Sequence, residues 1–466
     1  MSTSSPELLV QLDRSRPRSL RAQLEQGLRD AIRTGRLPPG VQLPSSRALA
    51  TDLQVTRGVV VAAYDQLAAE GYLTTRQGQG TQVNPAATPA PPRADPAPPA
   101  AARARYDFRP GTPDVRLFPH TAWARATRAA MRTLPDAELG YGDPRGLASL
   151  RRALAGYLRR VRGVACEPGQ VVVCNGVSHG LSLIARVLAD EGVAEIAVED
   201  PGQPRFRQQI AWAGARPVPV GVDGQGLRVD QLAASSAQAV LATPAHQYPT
   251  GVVLSPSRRR QLVDWAKDGG WIVEDDYDAE YRYDRQPVGA LQGVAPDRVV
   301  YAGSLSKSLA PGLRLGWLVA PPVLRDALVA ARAVTDRASC TLTQAVAAAL
   351  LECGDLDRHL RRTRRLYRQR RDTLLDALAE HLPGSRVAGV ASGLHVLVAL
   401  PAGLDATTVA ASAAEHGILL APLARYQAHP DQAGAAALVM GYSGLSPHQI
   451  RQGVRQLAAA IGITVS

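Results

Sequence analysis

The sequence predicts an α/β protein in three parts: a small helical unit closed by a β-hairpin, a proline-rich tether, and a large, mostly parallel sheet with helices on both faces. Three observations carry this. From Asp107 onward, short apolar runs alternate with helical stretches, the pattern of strands that are each followed by a covering helix. Leu20, Leu24, Leu28 and Ile32 recur every four positions, which is the stripe of one amphipathic helix. Residues 85–105 hold seven prolines; these fix φ and remove backbone donors, so the segment neither continues a helix nor builds a core. The expected divisions are 1–84, 85–106 and 107–466.

In the first unit the leucine stripe ends at Gly35, Pro38, Pro39 and Gly40. Ser45 and Ser46 follow Pro44 and can cap a short helix over residues 47–53. Thr56 opens a third helix through Val59, Val60, Ala63, Leu67 and Glu70, closed by Gly71. Residues 72–76, a turn at 77–80 and residues 81–83 read as a small hairpin. Helix, short helix, turn, helix, hairpin is the layout of a winged helix-turn-helix. In that motif the third helix enters the DNA major groove and the hairpin reaches the backbone.

Six apolar runs order the large part: 171–174, 196–199, 240–242, 271–274, 299–302 and 315–320. In parallel sheets ligands gather at the carboxyl ends of the strands, and polar motifs follow these runs. Asn175-Gly176-Val177-Ser178-His179 opens a helix whose amides and positive dipole end suit a phosphate. Glu274-Asp275-Asp276-Tyr277 follows another run, and an acid there would pair with a protonated pyridine nitrogen. Neighbours on a strand point to opposite faces, so either Asp275 or Asp276 meets the ligand; the two-residue offset to Tyr277 favours Asp275. Ser304 and Arg314 flank Lys307 at minus three and plus seven and offer a hydroxyl and a fork for a phosphate.

Lys307 is the most informative residue. Of 53 basic residues only two are lysines, Lys267 and Lys307. Only a primary amine condenses with an aldehyde to a Schiff base, whereas a guanidinium stays protonated. Lys307 is therefore the candidate catalytic residue and the anchor for pyridoxal 5'-phosphate. That cofactor's electron-sink chemistry needs an amine, a carboxylate at the ring nitrogen and a phosphate cradle. Lys267, amid Asp264, Asp268 and Gly269, reads as a surface lysine.

Composition bounds the rest. Apolar content of 45% and charged content of 20% describe a soluble globular chain. No run approaches the ~20 apolar residues of a membrane span, and residues 1–16 lack an apolar signal core, which predicts a cytoplasmic protein without a membrane partner. Cys166, Cys174, Cys340 and Cys353 form neither a metal-type pair nor a disulfide framework. The net charge of +12 divides as +3, +2 and +7 over the three parts; so even a spread gives only weak support for a nucleic-acid partner. The arginine run over 358–371 reads as the wet face of a long helix, because Leu374, Leu375 and Leu378 continue an apolar stripe.

The first unit resembles the DNA-binding domain of GntR-type bacterial regulators. The resemblance rests on Gly35-Arg36-Leu37-Pro38-Pro39-Gly40, Leu43-Pro44-Ser45-Ser46-Arg47, Val55-Thr56-Arg57, Ala63-Tyr64-Asp65-Gln66-Leu67, Glu70-Gly71-Tyr72-Leu73 and Gly78-Gln79-Gly80-Thr81, in that order and spacing. It implies that Arg47, Thr56 and Arg57 contact DNA, with Gln77 and Gly78 at the wing tip. Arginine can fork onto a guanine edge or a phosphate, and glycine lets the wing backbone approach the duplex.

Residues 107–466 resemble the fold-type I aminotransferases, through Asp107-Phe108-Arg109-Pro110-Gly111-Thr112-Pro113-Asp114, Tyr141-Gly142-Asp143-Pro144-Arg145-Gly146, Glu199-Asp200-Pro201-Gly202 and His246-Gln247-Tyr248-Pro249-Thr250-Gly251. With the first unit, the whole chain looks like the MocR subfamily of GntR regulators. The resemblance implies a smaller C-terminal α/β subdomain and a homodimer, with exchange of domains between subunits as one arrangement. It implies that Lys307 forms the imine and that Asp275 meets the ring nitrogen. Tyr277 would bond the phenolic oxygen, and Val177, Ser178, Ser304 and Arg314 would take the phosphate. Tyr141 would reach the partner subunit's phosphate. Three departures follow. Gln203 stands where the family has an aromatic residue to stack on the ring. Val439 stands where many aminotransferases clamp a substrate carboxylate with arginine, leaving Arg205 and Arg425 as candidate replacements or as plain surface charges. His246-Gln247-Tyr248 replaces the usual asparagine, with Gln247 either supplying the lost hydrogen bond or holding a turn.

Three readings remain at this level, the third being a DNA-binding protein whose degenerate pocket stays empty. One is a regulator that binds operator DNA and senses pyridoxal phosphate or an amine that condenses with it, governing vitamin B6 synthesis or amino-acid and amine metabolism. The alternative is an active aminotransferase with an appended helix-turn-helix module.

Overall fold

In the computed structural model the described residues are 11–15, 17–76, 80–86, 104–283, 288–429 and 436–462. The chain divides into two compact units, Met1–Ala101 and Ala102–Ser466.

The first unit contains α1 (Leu20–Arg33), α2 (Ser46–Asp52), α3 (Arg57–Ala69), β1 (Leu73–Arg76) and β2 (Gly80–Val83). Ser19 and Ser45 cap α1 and α2, each accepting a backbone N–H from three residues on, which satisfies a donor that the helix start would otherwise orphan. The leucine stripe turns inward: Leu24, Leu28 and Ile32 pack with Leu49, Val60, Leu67, Leu73 and Val83. One feature goes beyond the sequence pattern. Residues 40–43 lie along β2, where Leu43 N donates to Thr81 O at 2.8 Å and Val83 N donates to Val41 O at 2.9 Å. The hairpin thus gains a third edge segment from the loop after α1.

The second unit is built on an eight-stranded sheet. Its strands, in order across the sheet, are Val171–Cys174, Gly316–Val319, Val299–Ser304, Trp271–Asp275, Ala239–Ala242, Glu195–Asp200, Arg216–Asp223 and Gly226–Leu227. The pairs from Val299–Ser304 through Arg216–Asp223 are parallel. Gly316–Val319 runs antiparallel to both its neighbours, so the expected mostly parallel sheet carries a reversed strand near the end that holds the site, and the short Gly226–Leu227 is reversed at the other edge. Alternation along each strand feeds both faces. Ile196, Val198, Leu241 and Val273 pack against Leu181, Ile184 and Leu188 of the helix Val177–Asp190. Ala197, Val240 and Ile272 pack against Leu262 and Ala266 of the helix Pro256–Lys267. Strands buried on both faces are apolar at every position, which is why they read as continuous runs.

A second, antiparallel sheet follows: Arg386–Ala388, His395–Ala399, Ala437–Gly441 and Ala421–Pro422. The 27-residue helix Asp355–His381 and the helix Pro447–Ala460 pack with it. In the long helix Leu360, Tyr367, Leu374 and Leu378 are buried, whereas Arg361, Arg362, Arg365 and Arg368 are exposed. Arg370 is the exception to the wet face: it is buried and donates to Asp114 at 2.9 Å. No helix among the described residues is long and apolar enough to cross a membrane.

Candidate functional site

The carboxyl ends of five strands and the loop 305–315 enclose a cavity of about 260 Å³. Eight of the residues singled out by the sequence line it: Val177, Ser178, Arg205, Asp275, Tyr277, Ser304, Lys307 and Arg314. Sheet register brings them together. Ser304 pairs with Gly316, Gly316 pairs with Cys174, and Asp275 pairs with Ala302.

One wall is the start of the helix Val177–Asp190. Gly176, its N-cap residue, has φ of 83°, and a Cβ there would meet the Arg314 guanidinium at 3.2 Å. A Cβ on Gly316 would stand 2.8 Å from Val177 N. Two glycines therefore let a helix start, a strand start and an arginine converge. Arg314 donates through Nη2 to Asn175 O at 2.7 Å, and the guanidinium and the helix amides together form a concentrated positive pole.

The opposite wall carries the acid. Asp275 is buried, its Oδ1 has no hydrogen-bond partner, and burial pushes its carboxyl up to about 8, with the Asp276 charge adding to the rise. Asp276 faces the other way. Arg162 Nε donates to its Oδ2 at 2.6 Å, and the Tyr301 hydroxyl donates to the same oxygen at 2.7 Å. Burial lowers the Lys307 amine from its ordinary range, opposed by Asp278 and Asp275. Its Nζ donates to Gly111 O. Two neighbours on one strand thus have separate surroundings, one facing the cavity and the other a buried arginine.

Not every residue singled out lies here. Gln247 is buried outside the cavity lining, and its amide is fully engaged. It donates to Pro201 O at 2.9 Å and Tyr248 O at 2.7 Å, and it accepts from the Thr250 hydroxyl at 2.6 Å. These bonds hold a turn, and they leave Gln247 outside the lining of this cavity. Arg425 lines an adjoining cavity of about 670 Å³, which shares Gln203, Arg205 and Tyr248 with the first. Tyr141 lies outside both cavities, 77% exposed, with the Arg337 guanidinium 4.6 Å from its ring centroid. Val439 is fully buried in an apolar cluster with Ala421 and Tyr426. Sequence reasoning missed Thr243, Tyr248, Asp278 and His395, which also line the cavity. Thr243 had a usable signal, since it directly follows the apolar run 240–242.

In the first unit Arg47, Thr56 and Arg57 are exposed at the starts of α2 and α3. Arg57 Nε donates to Ser46 Oγ at 3.3 Å, which ties the two helix starts together. The Thr56 side chain makes no cap bond. Gln77 and Gly78 lie outside the described residues.

Two family models match the sequence: Aminotransferase class I and II over residues 112–454, and Bacterial regulatory proteins, gntR family, over residues 20–83. The probable rhizopine catabolism regulatory protein MocR of Rhizobium meliloti is 34% identical over 476 residues, spanning 97% of this chain and 96% of that protein. The HTH-type pyridoxine biosynthesis transcriptional regulator PdxR of Corynebacterium glutamicum is 36% identical over 410 residues, spanning 87% of this chain and 89% of that protein. Among solved structures, the multiple substrate aminotransferase from Thermococcus profundus superposes with a TM-score of 0.71 at 28% identity, covering 78% of this chain and 92% of that one.

Proposed function

The chain belongs to the aminotransferase class I and II family and, through its gntR-type unit and full-length relatives, to the MocR-type regulators; on that footing we propose that it is a bacterial transcriptional regulator that binds operator DNA through residues 1–84 and pyridoxal phosphate in the Lys307 cavity. Residues 85–106 then serve as the tether and residues 107–466 as the effector domain. The observation that carries the reading is the meeting of Lys307, Asp275, Arg314 and the helix start Val177–Ser178 round one cavity.

The residues fit the cofactor. The orphaned Oδ1 of Asp275 needs a donor, and a protonated ring nitrogen is one; that pairing would also return the carboxyl to its charged form. The cradle built at Gly176 and Gly316 has the bare amides and the arginine that a phosphate requires. Bound there, the cofactor supplies an aldehyde for primary amines and an electron-withdrawing ring. Lys307, with its amine pushed toward the neutral form, is the nucleophile for that aldehyde. Tyr277 donates to the phenolic oxygen, while Val177, Ser178, Ser304 and Arg314 hold the phosphate. Arg205 and Arg425 face the adjoining cavity and suit the anionic end of an effector. The exposed Tyr141 is available to a second subunit, which supports a homodimer.

The apolar burial of Val439 favours sensing over general amino-acid transamination, because no guanidinium stands there to fork a carboxylate. The effector is the cofactor itself or an amine that condenses with it. It acts by population shift, which requires that it bind one arrangement of the protein more tightly than another. Borohydride reduction of cofactor-saturated protein, followed by mass spectrometry, is expected to modify the Lys307 peptide. Lys307→Ala is expected to retain operator binding and lose its response to added cofactor. An unmodified peptide, or an unchanged response in the variant, would refute the reading.

A further inference from the structure

A histidine and an aspartate stand behind Tyr277. The His246 and Asp278 side chains are 2% and 1% exposed, and His246 Nδ1 lies 3.1 Å from both carboxyl oxygens of Asp278. The same nitrogen lies 3.0 Å from the Tyr277 hydroxyl. His246 Nε2 is buried with no hydrogen-bond partner. Position 393 leaves the pair its room: with φ of 73°, a Cβ on Gly393 would stand 2.2 Å from His246 Cε1 and 2.6 Å from Asp278 Oδ2. Tyr277 and Asp278 line the cavity with Lys307, and His246 sits behind them.

One ring nitrogen cannot donate to a carboxylate and accept from a hydroxyl at once. Nε2 has no acceptor, so it is the nitrogen best left bare. The imidazole proton then sits on Nδ1, where Asp278 takes it in a charge-assisted bond. Facing an N–H, the Tyr277 oxygen only accepts, and its own proton turns away from His246. Burial, Asp278, Tyr248, Asp275 and Glu199 all push the Tyr277 hydroxyl well above the usual phenol range, so that proton stays in place. His395, with its ring centroid 5.3 Å from that of His246, donates to Pro249 O at 3.2 Å. Burial drops the His395 pKa to about 3, which keeps it neutral. Lys307 is the cation facing Asp278 and Asp275 across the cavity.

We propose that His246, held by Asp278, is a positioning residue that aims the Tyr277 hydroxyl proton into the cavity at the cofactor's phenolic oxygen, and so sets the pH at which the bound chromophore changes. The proposal rests on reading this cavity as the pyridoxal phosphate site.

The test is the absorbance of the cofactor-loaded, full-length protein against pH. Losing a hydrogen bond to an ionised oxygen disfavours the ionised form, so Tyr277→Phe and His246→Phe are each expected to raise the midpoint, by about one pH unit. The double variant is expected to rise no further than Tyr277→Phe alone. His246→Asn, which keeps an N–H for Asp278, is expected to restore most of the shift. Additive shifts, or no shift in His246→Phe, would overturn the proposal. Nitrogen-15 spectra of the cofactor-free protein decide the orientation independently: a proton on Nδ1 of His246 is expected, and a proton on Nε2 would overturn the dyad. If no chromophore forms, the cofactor reading itself fails, and the tautomer still tells whether the dyad stands.

Discussion

At the scale of single residues, the site and the strand ends behind it hold carboxyls kept apart by their surroundings. Burial pushes Asp275 up to about 8, and Glu199 and Glu274 up to about 7. All three lie above their unfolded values. Each of these groups therefore binds more protons in the folded, cofactor-free chain than in the unfolded chain from roughly pH 4 to its raised value, and its contribution to stability falls as pH rises through that window, whereas His395, dropped to about 3, works in the opposite sense below roughly pH 6.5. Above the histidine range that opposition is gone, so melting of the cofactor-free protein is expected to drop between about pH 7 and about pH 8. Asp275→Asn removes one of the proton-binding groups, so its melting temperature should depend less steeply on pH; an unchanged slope in calorimetry would place the carboxyl in water. The same variant is expected to bind pyridoxal phosphate at least tenfold more weakly, a loss of about 1.4 kcal/mol, read by absorbance titration.

At the scale of elements, the strand ends and helix starts explain what the sequence could and could not convey. Lys307, Asp275 and Arg314 were legible because only certain residue types do their chemistry, and the apolar runs fixed where the strands stop. Tyr248 and His395 were not, because sheet order and the second sheet bring them to the cavity and no local spacing encodes that order, whereas Thr243 had a local signal that went unused. Gln247 was ambiguous in the chain, and in the structure it bonds within its own turn, to Tyr248 and Thr250, and across to Pro201. The reversed strand Gly316–Val319 was also hidden, since an apolar run has no direction. Two glycines carry a prediction at this scale. Gly176→Ala puts a methyl against the Arg314 guanidinium at a backbone angle that favours glycine. It is expected to weaken cofactor binding about tenfold or more, at a cost of ~1–3 kcal/mol for a side chain held in that glycine-only region, with the small change in global melting left as the control. In the first unit, Ser45→Ala removes the α2 cap and is expected to cost that unit about 1 kcal/mol, measured by denaturant unfolding.

For the whole molecule, two independently cored units are present, and the function proposed above assigns one to a duplex and the other to a small molecule. Arg47 and Arg57 lie at exposed helix starts, where the dipole adds to their charge. Arg57→Ala in the full chain is expected to weaken operator binding and, if the contact is to a phosphate, to reduce the slope of log affinity against log salt by about one. A contact to a base edge would instead relax sequence preference at one position and leave that slope unchanged. Band-shift titrations at several salt concentrations, on matched and mismatched sites, separate the two. The linker composition, the leucine stripe and the helix order were readable from the chain. The third edge segment at residues 40–43 was not, because a loop gives no sign of whether it lies beside a hairpin.

The loop that carries Lys307 leaves one strand at Ser304 and re-enters its antiparallel neighbour at Gly316, and those two residues are directly paired, level with Cys174 beyond. A small molecule joined to that loop and to the helix after Cys174 would rivet three strand ends at once. A filled site would then make each folded copy slower to unravel than an empty one.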